Sequence, residues 1–315
     1  VTDAAFRKMF IECATPKLAT GSSRQGRPDV FWTEFVSVEA LLSRGKDAVL
    51  PDLWFDEDEH PIVAQIFGAK PEQFEAVGAM LREMGFDGVD INMGCPDTGV
   101  EKQGAGAALM KNPARAKEII RALARGSELP VSVKTRIGYT KNEIDTWLPA
   151  LLEENLAALT VHLRTRKEMS DVPAHWELAP DIVKLRDRYA PQTIILGNGD
   201  VNSLSDAHAR IHESGMDGVM IGRGIFGNPW LFSGHTPNLR ERLERMVRHT
   251  EVFEHMYLTN TAAHIKNFAI MKKHFKAYVT GFDGARELRA KLMETESTAG
   301  VRKIIEGFLK THREE

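Results

Sequence analysis

Residues 87–135, DGVDINMGCPDTGVEKQGAGAALMKNPARAKEIIRALARGSELPVSVKT, decide the fold class. The apolar run at 87–92 predicts a buried strand, and a similar run at 130–135 predicts a second one. Between them, residues 113–125 have helical periodicity, and Pro113 stands in the first turn, where helices tolerate proline. A strand, a helix and a strand in this order are typical of β/α proteins built on a parallel sheet.

The same alternation extends in both directions from this unit. Five further strands are predicted, at 30–36, 61–66, 158–163, 193–198 and 217–221. Helices are predicted at 72–84, 144–155, 176–189 and 203–213. The chain opens with a helical pattern capped by Thr2 or Asp3, with no strand before it. We therefore predict an α/β fold, a (β/α)8 TIM barrel that lacks its first strand in this sequence, with an open doubly wound sheet as the alternative.

The β/α rhythm stops near residue 232, and the remaining chain has only amphipathic helical patterns. These helices are predicted at 238–258, 260–279, 284–294 and 297–311. Two domains follow, a catalytic barrel over 1–234 and a small all-helical domain over 235–315. The net charge of −3 hides an asymmetry, because 235–315 carry 15 Lys and Arg against 11 Asp and Glu. This excess of positive charge favours a polyanionic partner, and a solvated helical surface is the alternative.

Composition excludes several classes of protein. The apolar runs are far shorter than the roughly 20 residues that a membrane span requires, and no leader sequence is visible, so we expect a cytoplasmic protein. The two cysteines, Cys13 and Cys95, form no CxxC pair, which argues against a disulfide framework and against a structural metal site. Cys13 ends an amphipathic helix and is expected to be a small buried hydrophobe.

Polar residues recur near the ends of the predicted strands. Because side chains alternate along a strand, one face carries the polar residues and the other carries the apolar ones. The polar residues predicted to meet at one mouth of the barrel are Gln65, Asn92, Lys134, His162 and Asn198. Active sites of this architecture lie at that mouth, and five buried polar groups would be costly without a function.

Two glycine-rich segments follow the last two strands, GNGDVNS at 197–203 and IGRGIFGNP at 221–229. Backbone N–H groups at such turns, together with Arg223, predict a site for a phosphate group. Lys134 would then lie where it can neutralise negative charge on the reactive ring of that ligand, which is how proteins tune a flavin near its N1 atom. The residues therefore predict a phosphorylated ligand with its reactive part at the centre of the barrel.

Several of these segments resemble the tRNA-dihydrouridine synthases, a family of FMN enzymes that reduce uridines in tRNA with NADPH. The similar segments are DGVDINMGCP and GAGAALMKNP, VSVKTRIG, TVHLRTR, NGDV and MIGRG. In addition, MKKHFKAYVTGFDGARELR at 271–289 is similar to the helical tRNA-binding domain of the bacterial B-type members. The resemblance covers nearly the whole chain.

The resemblance implies a role for each matching residue. It places FMN among Gln65, Lys134, His162, Asn198, Gly199, Asp200, Gly222 and Arg223. Asn92 would lie near both flavin and uracil, and we assign Arg136, Arg164, Lys272 and Lys273 to the tRNA substrate. Hydride would pass from FMN to C6 of uracil, and Cys95 would give a proton to C5. An ordinary thiol, with a pKa near 8.5, is mostly protonated at neutral pH.

Two other functions stay open at this point. The barrel could be a flavin oxidoreductase for a small pyrimidine, of the dihydroorotate or dihydropyrimidine type, or an RNA-binding barrel without a cofactor. The basic helical segment argues against the first. For the protein itself we expect a monomer with tRNA as partner, and with neither a membrane nor a metal as a further partner.

Overall fold

The computed structural model describes residues 2–14, 26–259 and 265–311. The chain forms two compact units, one of residues 30–224 and one that combines residues 1–29 with residues 225–315. This division differs from the predicted boundary between 234 and 235, because the first helix packs on helices from the C-terminal part of the chain. The assignment of catalysis to 1–234 and of tRNA binding to 235–315 stays a prediction.

The unit of residues 30–224 contains a parallel sheet. Its strands are β1 (Phe31–Trp32), β2 (Val36–Ser37), β3 (Ile62–Phe67), β4 (Gly88–Asn92), β5 (Val131–Arg136), β6 (Ala158–His162), β7 (Ile194–Asn198) and β8 (Gly218–Met220). They pair in the order β1-β3-β4-β5-β6-β7-β8, and β2 also pairs with β3. The predicted strand 30–36 is thus split, with β1 opposite Ile62 and Val63 and β2 opposite Ile66 and Phe67. The other six predicted strands are confirmed within about one residue at each end.

Among the described strands, β8 pairs with neither β1 nor β2, so the fold described is an α/β fold with a parallel sheet. The helices of this unit are α2 (Val38–Leu41), α3 (Pro71–Glu83), α4 (Thr98–Lys102), α5 (Pro113–Ser127), α6 (Ile144–Leu152), α7 (Ala179–Tyr189) and α8 (Leu204–Ser214). Short 3-10 turns occupy Lys46–Ala48, Leu50–Leu53, Glu57–Glu59, Gly106–Lys111, Trp176–Leu178 and Arg223–Ile225. The five helices predicted between strands are confirmed, although 176–178 form a 3-10 turn rather than an α-helix.

Local sequence explains where these elements begin and which face each strand buries. The side chain of Asn112 accepts a hydrogen bond from the N–H of Arg115 and caps α5, and Pro113 follows at the first helical position. Strand residues such as Val89, Ile91 and Val133 are completely buried. The alternate positions of β4 and β5 are then left for Asp90, Asn92 and the polar residues of β5, which face the site described below.

The second unit is helical in its described parts. It contains α1 (Ala4–Glu12), α9 (Leu239–Glu254), α10 (Met271–Tyr278), α11 (Ala285–Met293) and α12 (Thr298–Thr311), with a π-helical turn at His255–Thr259 and 3-10 turns at Leu231–Ser233 and Phe268–Ile270. The predicted helix 260–279 is wrong in length, since only the turn at 268–270 and α10 are helical there, and residues 260–264 lie outside the described residues. Among the described residues, every helix is too short or too polar to cross a lipid bilayer.

Helix α1 belongs to this helical unit because its apolar face packs there. Asp3 Oδ1 accepts a hydrogen bond from the N–H of Phe6 at 2.9 Å, so Asp3 rather than Thr2 is the N-cap. At the other end, the Glu12 carboxylate pairs with Arg245 and Arg248 of α9, at 2.6 and 2.8 Å. Cys13 follows and is buried, which confirms the prediction of a structural thiol.

Two histidines, His249 of α9 and His274 of α10, are completely buried in this unit. Their ring centroids are 4.6 Å apart, and the ring of Phe6 stacks on His274 at 5.2 Å. Neither ring nitrogen of either histidine reaches a hydrogen-bond partner among the described residues. Burial lowers the pKa of His249 to about 4 and also lowers the pKa of His274, so both rings are neutral at pH 7.

Because both buried imidazoles have lowered pKa values, we expect the protein to lose stability in mild acid. The unfolded chain takes up protons below pH 6.5, whereas folded His249 stays neutral down to about pH 4, so stability falls as the pH drops through this window. His249 alone should cost about 2 kcal/mol between about pH 7.5 and pH 5. The measurement is the thermal unfolding midpoint at both pH values.

The double variant His249→Phe/His274→Phe should flatten this pH dependence. The control is His208→Gln, which changes an exposed histidine of α8 and should leave the slope as it is in the parent. An equal acid shift in the parent and in the double variant would contradict the assignment of the effect to this pair.

Candidate active site

Five polar side chains stand near the carboxyl ends of neighbouring strands, on β3 to β7. They are Gln65, Asn92, Lys134, His162 and Asn198. The register places Asn92 opposite Lys134, and His162 opposite Asn198. Because the strands are parallel, the structure brings these five residues to one edge of the sheet, where ligands of open and closed α/β sheets bind.

A chain of hydrogen bonds links three of the strand residues to the loop after β4. Gln65 Nε2 donates to Asp90 Oδ2 at 2.8 Å, and Asn92 Nδ2 donates to Gln65 Oε1 at 3.2 Å. Asn92 Oδ1 in turn accepts from the backbone N–H groups of Gly94 and Cys95, at 3.1 and 2.9 Å. The loop that carries the thiol is therefore bonded directly to the end of β4.

Burial sets the charge states of the titratable groups at this edge. It lowers the pKa of Lys134 to about 8, with the nearby Arg136 guanidinium adding to the effect. It raises the pKa of the completely buried Asp90 to about 6, against its hydrogen bonds from Ser132 and Gln65. Burial and the cationic neighbour Lys134 lower the pKa of His162 to about 2. At pH 7 the site thus offers a lysine close to its pKa and a neutral imidazole.

Cys95 lies between β4 and α4, and its side chain is partly exposed. Burial of the thiol raises its pKa above the ordinary value, so the sulfur carries its proton at neutral pH. The Cys95 carbonyl accepts a hydrogen bond from the N–H of Ala107 at 3.0 Å. A protonated thiol at the edge of the sheet can act as a general acid toward a bound ligand.

Arg136, predicted to bind substrate, is buried and bonded to backbone carbonyls. Its Nε donates to Gly94 O at 2.9 Å, and one terminal nitrogen donates to Thr165 O and Met169 O, each at 3.0 Å. These contacts hold the Cys95 loop against the segment after β6. The assignment of Arg136 to the substrate stays a prediction, whereas its role as a support of the loop is visible in the contacts.

The loop after β4 has a second support, which was not predicted from the sequence. Arg166 donates from Nε to both carboxylate oxygens of Glu101 in α4, at 3.0 and 2.9 Å, and from a terminal nitrogen to Pro96 O at 3.3 Å. The Lys111 ammonium lies 3.7 Å from the centroid of the Tyr139 ring. No local pattern signals a bond between residues 65 positions apart, so sequence alone could not have found it.

The other side of the site is formed by the glycine-rich turns after β7 and β8. Gly199 and Asp200 have φ angles of +126° and +55°. A Cβ at Gly222 would meet only the side-chain nitrogen of Asn198, at 4.0 Å, so its backbone faces open space. Beside it, the Arg223 side chain is 67% exposed and contacts Asp200 at 3.2 Å. An open backbone next to an exposed guanidinium fits an anionic group such as a phosphate.

Arg164, also predicted to bind substrate, is buried and pairs with the Asp200 carboxylate. Its guanidinium further donates to Val172 O at 2.5 Å and lies 3.1 Å from His162 Nε2. The bond from Arg164 is the main cause that lowers the pKa of Asp200. Arg164 therefore orients Asp200 and His162, and its assignment to the substrate stays a prediction.

Lys272 and Lys273 belong to α10 of the helical unit. Lys273 is exposed and Lys272 is partly exposed, whereas the next two residues, His274 and Phe275, are buried. The helix therefore has an apolar side within its unit and a cationic side that includes both lysines.

Gly106 generates a prediction about the geometry of the thiol. Its φ is +59°, and a Cβ there would approach the Cys95 carbonyl oxygen to 2.8 Å and the Cys95 Cβ to 3.3 Å. Gly106→Ala should therefore displace Cys95 and raise the rate of its alkylation by iodoacetamide several-fold. The measurement is thiol labelling in a Cys13→Ala background, which leaves one reactive sulfur.

The matched control is Gly104→Ala. Gly104 has a similar φ of +76°, but a Cβ there would meet only Ala69, at an ordinary 3.6 Å. It should cost about 1 kcal/mol of stability from backbone strain and leave labelling unchanged. Equal labelling rates in the two alanine variants would refute the contact between Gly106 and Cys95.

The family model and two proteins similar to this chain in sequence all carry the description dihydrouridine synthase. Residues 1–312 match the family described as dihydrouridine synthase (Dus). A probable tRNA-dihydrouridine synthase of Staphylococcus aureus is 44% identical over 314 residues, which cover 98% of this chain and 90% of the other. Probable tRNA-dihydrouridine synthase 2 of Bacillus subtilis is 43% identical over 312 residues, covering 98% and 91%.

A solved structure, that of histamine dehydrogenase from Rhizobium sp. 4-9, has a similar fold at 10% sequence identity. The likeness has a TM-score of 0.51 and covers 99% of this chain and 60% of the other. At this identity it speaks for the fold alone. The family match over nearly the full length and the identity to both bacterial relatives decide the classification: the chain belongs to the dihydrouridine synthase (Dus) family.

Proposed function

We propose that this protein reduces uridines in tRNA to 5,6-dihydrouridine. The observation that carries the proposal is a partly exposed thiol, Cys95, kept protonated by burial at the same sheet edge as Lys134 and His162. The names of the two bacterial relatives support tRNA as the substrate. The proposal therefore joins a general acid in the site to a substrate class taken from the family.

The residues present fit FMN as the cofactor. The phosphate would bind at the open backbone of Gly222 with Arg223, where an anion finds donors and a positive charge. The residues that we propose to hold FMN are Gln65, Lys134, His162, Asn198, Gly199, Asp200, Gly222 and Arg223. When bound, reduced FMN supplies the hydride that C6 of uracil accepts, and NADPH is the proposed source of that hydride.

Cys95 completes the reaction in this proposal. Saturating the C5–C6 bond of uracil requires a hydride at C6 and a proton at C5. The S–H bond of Cys95 breaks as the C5–H bond forms, and the thiolate then recovers a proton from solvent. General acid catalysis of this kind typically contributes about 10² to 10⁴ in rate. Asn92, which accepts a hydrogen bond from the backbone N–H of Cys95, is proposed to contact the same base.

The helical unit is proposed to bind the tRNA backbone. The segment 235–315 has a net charge of +4, from 15 basic and 11 acidic residues, and Lys272 and Lys273 lie on the cationic side of α10. Phosphate contacts of lysines supply affinity that depends on salt rather than on base sequence. We extend the proposal to the remaining expectations, namely an architecture of the (β/α)8 barrel type, a monomeric state, a cytoplasmic location and the absence of a metal.

The role of Cys95 is tested by Cys95→Ala. We expect dihydrouridine formation to fall about 10²-fold or more, because the variant lacks the proposed donor of the C5 proton, while binding of FMN and of tRNA stays unchanged. Product is measured by mass spectrometry of nucleosides after incubation with unmodified tRNA, FMN and NADPH. The control is Cys13→Ala, which removes the buried thiol of the helical unit and should keep full activity.

Two outcomes would contradict the proposal. Full turnover of tRNA by Cys95→Ala would exclude the thiol as the acid. Reduction of free uracil or a related small pyrimidine, with no product in tRNA, would replace the tRNA substrate by a small molecule.

The tRNA contact is tested by the double variant Lys272→Ala/Lys273→Ala. Loss of two phosphate contacts should weaken binding and lower the slope of log K against log salt concentration by about 2. The measurement is a titration of fluorescent tRNA at several salt concentrations. The control, Lys184→Ala/Arg188→Ala, removes two exposed charges from α7 of the other unit and should leave the slope unchanged. An unchanged slope in the lysine variant would remove α10 from the interface.

A further inference from the structure

We propose that Asp90 is a positioning residue that, through Gln65 and Asn92, fixes the backbone of the loop carrying Cys95. Asp90 touches neither the loop nor Cys95 in any described hydrogen bond, so it acts only through the two amides. The catalytic consequence rests on the proposed role of Cys95, whereas the positioning itself can be measured without catalysis.

The donor and the acceptor of each hydrogen bond between Asp90 and the Cys95 loop are fixed by the groups at the two ends of the series. A carboxylate only accepts hydrogen bonds, so the Gln65 atom that bonds to Asp90 must be Nε2. Gln65 Oε1 then faces Asn92 and accepts from its Nδ2. Asn92 Oδ1 is left for the backbone N–H groups of Gly94 and Cys95, which can only donate. Each amide has one orientation that satisfies every bond.

The burial of Asp90 argues that this carboxylate is not there for packing. It is completely buried on β4, and desolvating a carboxylate costs more than burying an apolar residue of similar size. Both of its oxygens are used, since Ser132 Oγ donates to Oδ1 at 2.5 Å and Gln65 Nε2 donates to Oδ2. A buried carboxylate offsets this desolvation cost when its hydrogen bonds fix a single arrangement of the surrounding polar groups.

Two substitutions separate the orientation of the amides from the charge. Asp90→Leu removes both acceptors, so the Gln65 amide can turn over and the Asn92 amide with it, which takes the acceptor away from Gly94 and Cys95. Asp90→Asn keeps an oxygen for Gln65 Nε2 and turns its own NH₂ to the Ser132 hydroxyl. The asparagine variant should therefore preserve the orientation without the negative charge.

The direct test is amide hydrogen exchange of Gly94 and Cys95, measured by NMR on the full chain. Asp90→Leu should accelerate exchange at these two amides about tenfold, the effect of losing about one hydrogen bond, and Asp90→Asn should restore the parent rate. The control is Asp87→Leu, just before β4, which removes the acceptor of the Ile62 N–H and should leave Gly94 and Cys95 unchanged. Parent exchange rates in Asp90→Leu would overturn the proposal.

If Asp90→Leu does not fold, Gln65→Leu is the alternative variant, because it removes the hydrogen bonds of Gln65 to Asp90 and to Asn92. It should accelerate exchange at the same two amides, and parent rates there would equally overturn the proposal. Thiol alkylation in the Cys13→Ala background gives an independent reading, since a released loop changes the accessibility of the Cys95 sulfur.

The catalytic readout is the split between kcat and the Kd for tRNA. Asp90→Leu should lower kcat about 10²-fold, because the acid is misplaced, while the Kd for tRNA stays near the parent value, because the proposed backbone contacts of the helical unit are unchanged; Asp90→Asn should recover most of kcat. Failure of the two proposals can be told apart. An active Cys95→Ala removes the acid role and leaves the exchange test intact, whereas parent exchange rates in Asp90→Leu remove only the positioning.

Discussion

The burial of opposite charges between β4 and β5 is the constraint on which the site depends. Asp90 and Lys134 stand on the same side of neighbouring strands, among fully buried apolar residues such as Val89 and Val133. Neither charge is stable there alone, because desolvation raises the pKa of the carboxyl and lowers that of the ammonium. Each group keeps its charge at neutral pH because the other group lies nearby and because hydrogen bonds stabilise the carboxylate. A slip in the register of β4 against β5 would separate the two charges and leave each of them buried without its partner.

The same burial also sets the protonation states of His162 and Cys95, the groups beside the proposed ligand. The cationic neighbours and burial keep His162 neutral, and burial keeps the Cys95 thiol protonated. A neutral imidazole and a protonated thiol can both donate a hydrogen or accept a hydrogen bond without adding charge to the site. The positive charge then comes from Lys134 on one side and Arg223 on the other, which suits a ligand whose ring and phosphate are both electron-rich.

The loop after β4 shows how the scaffold holds a reactive group that is not itself in a strand. Arg136 bonds to the carbonyl of Gly94, Asn92 bonds to its N–H, and Arg166 fixes the following helix through Glu101. Each support comes from a different strand or loop. The thiol is therefore placed by several independent bonds, which is the arrangement expected for a group that must meet a substrate in one geometry.

The sequence by itself determined the periodicity and the alternation, and hence strands β3 to β8, the helices between them and the polar residues that share one sheet edge. These properties are local, because hydrophobic spacing, helix caps and strand alternation act over a few residues. Only the tertiary structure decided the partners of Asp90, the bonds of Arg136 to Gly94, and the packing of α1 with the C-terminal helices. Those contacts join residues 25, 42 and more than 200 positions apart, and no local pattern encodes which distant strand or helix becomes a neighbour.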